Sequence, residues 1–231
     1  MVIEKALYNF KKLVPEGHGV VVACSGGIDS MLLAFIASKL KKRHIVVGHV
    51  SHNIRSKEDT AEDLALVKDY CHKLHFPMCH ADLFIPQNGN LENNARKERY
   101  EALYGMAKRY GCSSIATAHH ADDHLVTILM HLCRGCGSNG LIGIRRSSNY
   151  KDISIVRPLL DSNKSEMYDV ALKRDIPFNY DITNNDCDLV RNDFNKNVLP
   201  ILKKHYPRAS ENALKMSRRI MDGIIADEVK E

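Results

Sequence analysis

A continuous apolar run, Val20-Val21-Val22-Ala23-Cys24, passes without a spacer into Ser25-Gly26-Gly27-Ile28-Asp29-Ser30, and a helical pattern then carries the chain from Met31 to Leu40. An unbroken apolar run suits a strand covered on both faces. A tight glycine turn is therefore expected at the carboxyl end of a buried strand, directly before a helix. Two adjacent glycines let the backbone approach an anion closely, the N–H groups of the turn and helix start point at it, and the helix dipole favours negative charge. Ser25 and Ser30 add hydroxyl donors. Gly27 is expected to leave no room for a side chain. Asp29 would repel a phosphate unless a divalent cation came between them, so its presence points to Mg²⁺. The plainer reading is a strand-to-helix turn capped by Asp or Ser. No lysine follows the glycines, so the loop is not a G-x-x-x-x-G-K-[ST] site.

The remaining pattern repeats this alternation. Residues 3–13 read as an amphipathic helix closed by Pro15 and Gly17, and Ile45 to Val50 as a second buried strand. A charged helix follows over 58–75, a third strand over Pro77 to Phe84, and a helix over 91–110. Ser114 to Ala118 gives a fourth strand and 122–133 another helix. Strands alternating with helices of this length predict a doubly wound, mostly parallel α/β sheet. Beyond about 160 the segments 163–174, 190–204 and 208–222 read as helical, and Ile153–Val156 is the one further strand candidate. The expected organisation is a sheet domain over 1–160 and a small, basic helical region over 161–231, in a chain whose 231 residues leave little room for two full domains.

Composition narrows the class. Thirty-three Lys+Arg against 28 Asp+Glu give a net charge of +5, a mild excess that suits a nucleic-acid partner. No stretch approaches the roughly 18 apolar residues of a membrane span, and the N-terminus has no apolar core of signal-peptide length. Seven scattered cysteines favour reduced thiols and a cytosolic address. Gly135, Gly137 and Gly140 spell G-x-G-x-x-G but follow a helix instead of a strand, which argues against a dinucleotide site there.

Further motifs follow, the first of them where ligand crevices of such sheets open. His49-Val50-Ser51-His52-Asn53-Ile54-Arg55 closes the second strand, and Glu92-x-x-Ala95-Arg96-x-x-Arg99-Tyr100 puts two arginines on one helical face. Ala118-His119-His120-Ala121-Asp122-Asp123 follows the fourth strand and runs on to Arg134-Gly135 and Gly140-Leu141. Arg157-Pro158-Leu159-Leu160 comes next. Asp181-x-x-Asn184, Arg191-Asn192 and Pro200 complete the series.

The Ser25–Ser30 loop resembles the SGGxDS loop of ATP pyrophosphatases, and the whole series over roughly 19–202 resembles the tRNA(Ile)-lysidine synthetase family. The resemblance implies a two-step reaction. ATP adenylates the C2 oxygen of the wobble cytidine of a CAU-anticodon tRNA(Ile), and the ε-amine of lysine then displaces AMP. It implies ATP binding by Ser25, Gly26, Gly27, Ile28, Asp29 and Ser30 with His52 and Arg134. Catalytic roles fall to Asp29, His119, Asp122, Asp123, Arg96 and Arg99: cations offset charge developing on phosphate, and a carboxylate or His119 accepts the amine's proton. Asp29 is the expected Mg²⁺ ligand. tRNA contacts are expected from Arg157, Arg191, Asn192, Arg208, Lys215 and Arg218.

Several positions depart from the family pattern. His124-Leu125-Val126-Thr127 replaces Gln-x-Glu-Thr, so a carboxylate expected to hold or deprotonate the amine is Val126 here, and Val126→Glu is expected to improve lysine use where the surrounding site is otherwise family-like. Asn195 stands where a second arginine is usual. His120 and His124 stand i,i+4 beside two aspartates, but a zinc site is disfavoured because His124 replaces that glutamine. Cys133-x-x-Cys136 leaves a tRNA 2-thiocytidine-type thiolation as the alternative chemistry, although those enzymes use paired C-x-x-C cysteines and this chain has one such pair. A degenerate homologue that binds ATP or tRNA without catalysis is the other alternative.

Overall fold

The computed structural model describes residues 1–52, 57–85, 91–179 and 189–228. The elements run α1 (Val2–Leu13), β1 (Gly19–Ala23), α2 (Ile28–Ala37), β2 (His44–His52), α3 (Lys57–Leu74), β3 (Met78–Leu83), α4 (Leu91–Arg109), β4 (Cys112–Ala116) and α5 (Ala121–Cys133). A short α6 (Ser138–Leu141), the hairpin β5 (Ser147–Tyr150) and β6 (Ile153–Val156), then α7 (Lys164–Lys173) follow. The C-terminal region is α8 (Leu189–Asp193), a π-helical turn over Phe194–Val198, α9 (Leu199–His205) and α10 (Ala209–Glu228).

The six strands form one sheet in the order β3-β2-β1-β4-β6-β5, parallel throughout except for the β5–β6 hairpin. The parallel, doubly wound expectation holds. Strand β5 was not visible in the sequence, because Ser147-Ser148-Asn149-Tyr150 is polar and alternates between exposed and half-buried at the sheet edge. Its turn is closed by Lys151 at φ 53°.

Side-chain alternation along β1 divides the core into two layers. Val20 and Val22 pack with α1, α2 and α7 residues, whereas Val21 faces Leu103, Met106 and Ala107 of α4. Met167, Ala171 and Ile176 belong to the first of these layers. The sheet's packing unit thus extends past the expected boundary at residue 160, because α7 buries its apolar face against α2. A third cluster joins Leu125, Val126, Ile128 and Met130 of α5 to Leu199 and Ala213, so the C-terminal helices dock on α5. No helix among the described residues is long and apolar enough to cross a membrane.

Candidate active site

Strand β1 sits between β2 and β4, and the connections leave it in opposite directions along the sheet. The loops after β1 and β4 therefore flank the crevice at the switch point, where such sheets take ligands.

The first loop is built from within. Ser30 Oγ donates to Gly27 O at 2.9 Å and accepts the Ser25 N–H at 3.1 Å. Ser30 is buried, so its hydroxyl fastens the turn, while Ser25 is exposed with its Oγ 3.2 Å from that of Ser30. Gly27 caps α2 and leaves the first-turn N–H groups of Ile28 and Asp29 without intrahelical acceptors.

The sequence expectation for Gly27 is corrected. Its backbone is ordinary, and a Cβ there would meet only Ser25 Oγ, at 3.7 Å. Gly26 is the constrained position. Its φ is +93°, and a Cβ would lie 3.1 Å from Asp63 Oδ1. Asp63, buried on α3, accepts Asn179 Nδ2 at 2.8 Å, and the Asn179 N–H donates to Gly26 O at 3.1 Å. The preceding Cys24 thiol is pushed up to about 11 by burial, which makes it an unreactive packing group.

Asp29 is the loop's acidic group. Its Oδ2 lies 3.4 Å from Lys164 Nζ and 3.8 Å from His120 Nε2. Its Oδ1 is buried and has no hydrogen-bond partner. An unpaired carboxylate oxygen beside a phosphate loop fits a hard divalent cation, so the residues present suit Mg²⁺. Among the described residues no group of three or more His, Cys, Asp and Glu forms a metal cluster.

Across the crevice, His120 Nε2 lies 3.3 Å from Asp123 Oδ2, and the same oxygen accepts the His120 N–H at 2.9 Å. Burial alone would raise the Asp123 carboxyl. The His120 and His119 rings and the backbone N–H outweigh it, and hold the group below its ordinary value. His119 Nδ1 lies 2.9 Å from Thr117 Oγ1. Burial drives its pKa down to about 4; Asp123 opposes the shift, and the charges of Arg157 and Arg96 add to it. Burial thus holds the His119 ring neutral.

Arg157 is buried just past β6 and donates to Arg145 O at 2.9 Å and Ser148 Oγ at 3.2 Å, while its Nε is unpartnered. Burial lowers its pKa, and Tyr100 is a further hydrogen-bond partner. Arg96 lies over the Tyr100 ring, 5.2 Å from its centroid. Arg96, Tyr100, Arg157 and His119 thus form a cationic wall of the crevice. Arg99 is exposed on the next turn of α4.

Other expected residues lie elsewhere. Asp122 is buried on a different face of α5 from Asp123, where it accepts Lys203 Nζ at 2.6 Å and Ser210 Oγ at 2.6 Å. It ties the C-terminal helices down and does not face the loop, because adjacent helical residues point about 100° apart. Val126 is fully buried in the apolar α5–α9–α10 cluster, so position 126 is not a hole in the amine site. Arg134 caps the far end of α5, a 13-residue helix about 20 Å long whose first turn carries Asp123. His124 Nε2 is 2.9 Å from Ser217 Oγ, and its Nδ1 is 3.1 Å from the Ile144 N–H, so it forms no metal pair with His120.

Arg191 does reach α5, donating to Thr127 Oγ1 at 3.4 Å, and Asn192 follows it half-buried on α8. Arg208 pairs with Glu211, and Arg218 with the buried Asp161, which also binds Arg146 at 2.6 Å. Lys215 is exposed. His52 ends β2 with its side chain outside the described residues, as are Asn53 to Ser56 and the Asp181–Asn184 motif. Cys133 is exposed and Cys136 half-buried, and the six described cysteines are free thiols. Asp63, Asn179 and Lys164 were not anticipated. Lys164 stands close after Arg157-Pro158-Leu159-Leu160, but no spacing rule aims it at Asp29.

Comparison with known proteins places residues 2–202 in the PP-loop domain model. A tRNA(Ile)-lysidine synthase of Thermotoga sp. is 34% identical over 207 residues, covering 86% of this chain and 49% of that protein. One from Porphyromonas gingivalis is 34% identical over 222 residues, covering 94% and 48%. The chain spans about half the length of the curated relatives it matches. Among solved structures, the U34-tRNA thiolase NcsA from Methanococcus maripaludis superposes with a TM-score of 0.78 at 14% identity, covering 96% of this chain and 80% of that one. That likeness shows a shared fold.

Proposed function

Because the chain belongs to the PP-loop domain family, we propose that it uses ATP to adenylate the C2 oxygen of the wobble cytidine of a CAU-anticodon tRNA(Ile) and joins lysine, or a related amino acid, at that carbon. The observation that carries the reading is the crevice itself. The glycine loop with Asp29 faces His120 and Asp123 across the β1–β4 switch point, beside the Arg157–Arg96 wall. The names of the relatives support the tRNA and the amino acid.

Each side of the crevice has a chemical task. The loop N–H groups and Ser25 bind the pyrophosphate portion of ATP. Arg157 and Arg96 sit where an α-phosphate bonded to the cytidine oxygen needs positive charge, in a site partly shielded from water. Asp29 would hold a divalent cation, which when bound would supply further charge neutralisation on the polyphosphate. Asp123, ionised at neutral pH, provides the acidic partner for the amine. His120, between Asp123 and Asp29, is placed to accept the amine's proton, as is the neutral His119 beside Asp123. The free thiols support a cytoplasmic site of action.

The test is pyrophosphate release from ATP measured with and without tRNA, followed by mass spectrometry of the wobble nucleoside. Release that requires tRNA, with cytidine gaining the mass of lysine less one water because the C2 oxygen leaves with AMP, is the expected result. A sulfur-substituted cytidine would establish the thiolation alternative. ATP and tRNA binding without pyrophosphate release would mark a binding protein.

A further inference from the structure

Positive charge collects at the end of the sheet opposite the crevice. Arg43, just ahead of β2, donates Nε to Val14 O at 2.8 Å, Nη1 to Lys41 O at 3.1 Å and Nη2 to Lys11 O at 3.4 Å. One guanidinium thus ties the end of α1 to the α2–β2 connection, and the Gly17 N–H adds a bond of 2.9 Å to Lys42 O. Lys11, Lys12, Lys41 and Lys42, all exposed, are gathered around the half-buried Arg43. We infer that this cluster is a second RNA contact, a phosphate-binding patch for the stem of the tRNA whose anticodon loop enters the crevice. The inference rests on the tRNA reading of the crevice and adds a surface to it.

Three observations carry it. First, the cations are not neutralised. Lys11, Lys12 and Lys41 have no ion-pair partner among the described residues, and Glu16 reaches Lys42 at 3.5 Å in an exposed pair of little strength. Like charges held together repel one another, and a polyanion relieves that repulsion. Second, Lys42 has a φ of 58°, a left-handed backbone that glycine adopts freely and other L-residues resist. The turn favours glycine there, so the fold itself does not call for a lysine. Third, helix dipoles account for only part of the cluster. Lys11 and Lys12 face the carboxyl end of α1. Lys41 and Lys42 lie beyond α2, which ends at Ala37 without a basic residue in its last turn.

The placement suits a long ligand. His44 pairs with Gly19, six residues before Ser25, so the patch stands roughly 20 Å from the loop at about 3.3 Å per strand residue. A base-paired stem covers that distance with regularly spaced phosphates, whereas a nucleotide in the crevice does not. Lysine ammonium groups are compact charges on flexible stems, and they follow phosphates without reading bases. The patch therefore adds affinity and salt dependence, and leaves the choice of nucleotide to the crevice.

The test is filter binding of a tRNA(Ile) transcript across a salt series. The proteins compared are the full chain, Lys41→Gln with Lys42→Gln, and Lys11→Gln with Lys12→Gln. Each pair of substitutions should reduce the magnitude of the log–log salt slope by about 1.4–1.8 and weaken binding about tenfold near physiological salt. An oligonucleotide of the anticodon loop alone is too short to reach the patch. It should bind all three proteins within about twofold, as should ATP, because the sites are far apart. Lys42→Gly removes the charge and the backbone strain together, so it should weaken tRNA binding yet unfold no lower than the wild type. Wild-type tRNA affinity and salt slope in both double variants overturn the inference alone. Binding of phosphatidylserine vesicles that the variants lose, with tRNA affinity unchanged, also overturns it and assigns the patch to a lipid surface. An equal loss of affinity for the loop oligonucleotide overturns it too, because the crevice would then be what changed. Wild-type protein that binds no tRNA overturns the tRNA reading and this inference with it.

Discussion

Asn179 donates its side-chain amide to Asp63 Oδ1 at 2.8 Å while its backbone N–H donates to Gly26 O at 3.1 Å, so a residue beyond α7 clamps the phosphate loop against α3. The clamp fits only while position 26 lacks a Cβ. At φ +93° an L-residue costs about 1–2 kcal/mol in backbone strain alone, and the methyl would press on Asp63 as well.

Gly26→Ala is therefore expected to lower the unfolding temperature by about 2–8 °C, at about 2–4 °C per kcal/mol for a chain of this size, and to weaken pyrophosphate binding. Gly27→Ala should unfold at the wild-type temperature, since its Cβ meets only Ser25 Oγ at 3.7 Å. Thermal unfolding of the pair settles which glycine the fold requires. Equal behaviour would dissolve the distinction.

Val126→Glu reverses in sign relative to the sequence expectation. A carboxylate at this position would enter the apolar cluster of Leu125, Ile128, Met130, Leu199 and Ala213, with Lys203 on the same face already committed to Asp122. Burying an unpaired ionisable group costs several kcal/mol. The variant should unfold at least about 6 °C below the wild type and should not gain lysine-dependent AMP release. A stable variant with improved lysine use would show that position 126 faces the crevice.

The backbone plan was legible because β1, β2, β4 and the helices between them each satisfy one strong periodicity, and the glycine turn follows β1 directly. The polar hairpin strand Ser147–Tyr150 was not, because edge strands need no apolar pattern. Within α5 the spacing of the residues encodes two faces. Asp122, Val126 and Met130 recur at a spacing of four and share a face, as do Asp123 and Thr127, so Asp122 and Asp123 were bound to separate. The first row meets Lys203 and the C-terminal helices, and the second meets His120 and Arg191. The clamps Asn179–Gly26 and Lys164–Asp29 join residues far apart in the chain. No local propensity encodes them, so they emerge only from packing α7 on α2.

The basic C-terminal face mixes paired and exposed cations. Arg218 holds the buried Asp161, and Arg208 is paired with Glu211, whereas Lys215 and Arg219 are exposed. Lys215→Glu with Arg219→Glu should weaken tRNA binding with little change in unfolding temperature, and should reduce the magnitude of the log–log salt slope by about 0.7–0.9 per lost phosphate contact. Arg218→Glu should instead lower stability, because it leaves a buried carboxylate facing a new negative charge. Filter binding across a salt series, read beside thermal unfolding, separates the two. An unchanged salt slope for Lys215→Glu with Arg219→Glu would make that face merely solvated.

Acid lability is the last expectation, and His119 sets its window. In the unfolded chain the imidazole protonates near its ordinary value of 6.5, but in the fold burial holds it neutral down to about 4. Between those values the unfolded state binds more protons than the native state, so stability falls as the pH falls from 6.5 towards 4. His49 and His124, both lowered chiefly by burial, act in the same direction, and Asp123 extends the loss at lower pH. A displacement of this size in one group corresponds to roughly 3 kcal/mol across the window. Unfolding temperatures measured from pH 7 to pH 4 should therefore drop steeply, and His119→Asn should flatten that drop by up to one proton's share. A slope identical in wild type and His119→Asn would show that His119 is protonated in the folded protein, and the crevice would then be more cationic and wetter than its burial beside Arg157 implies.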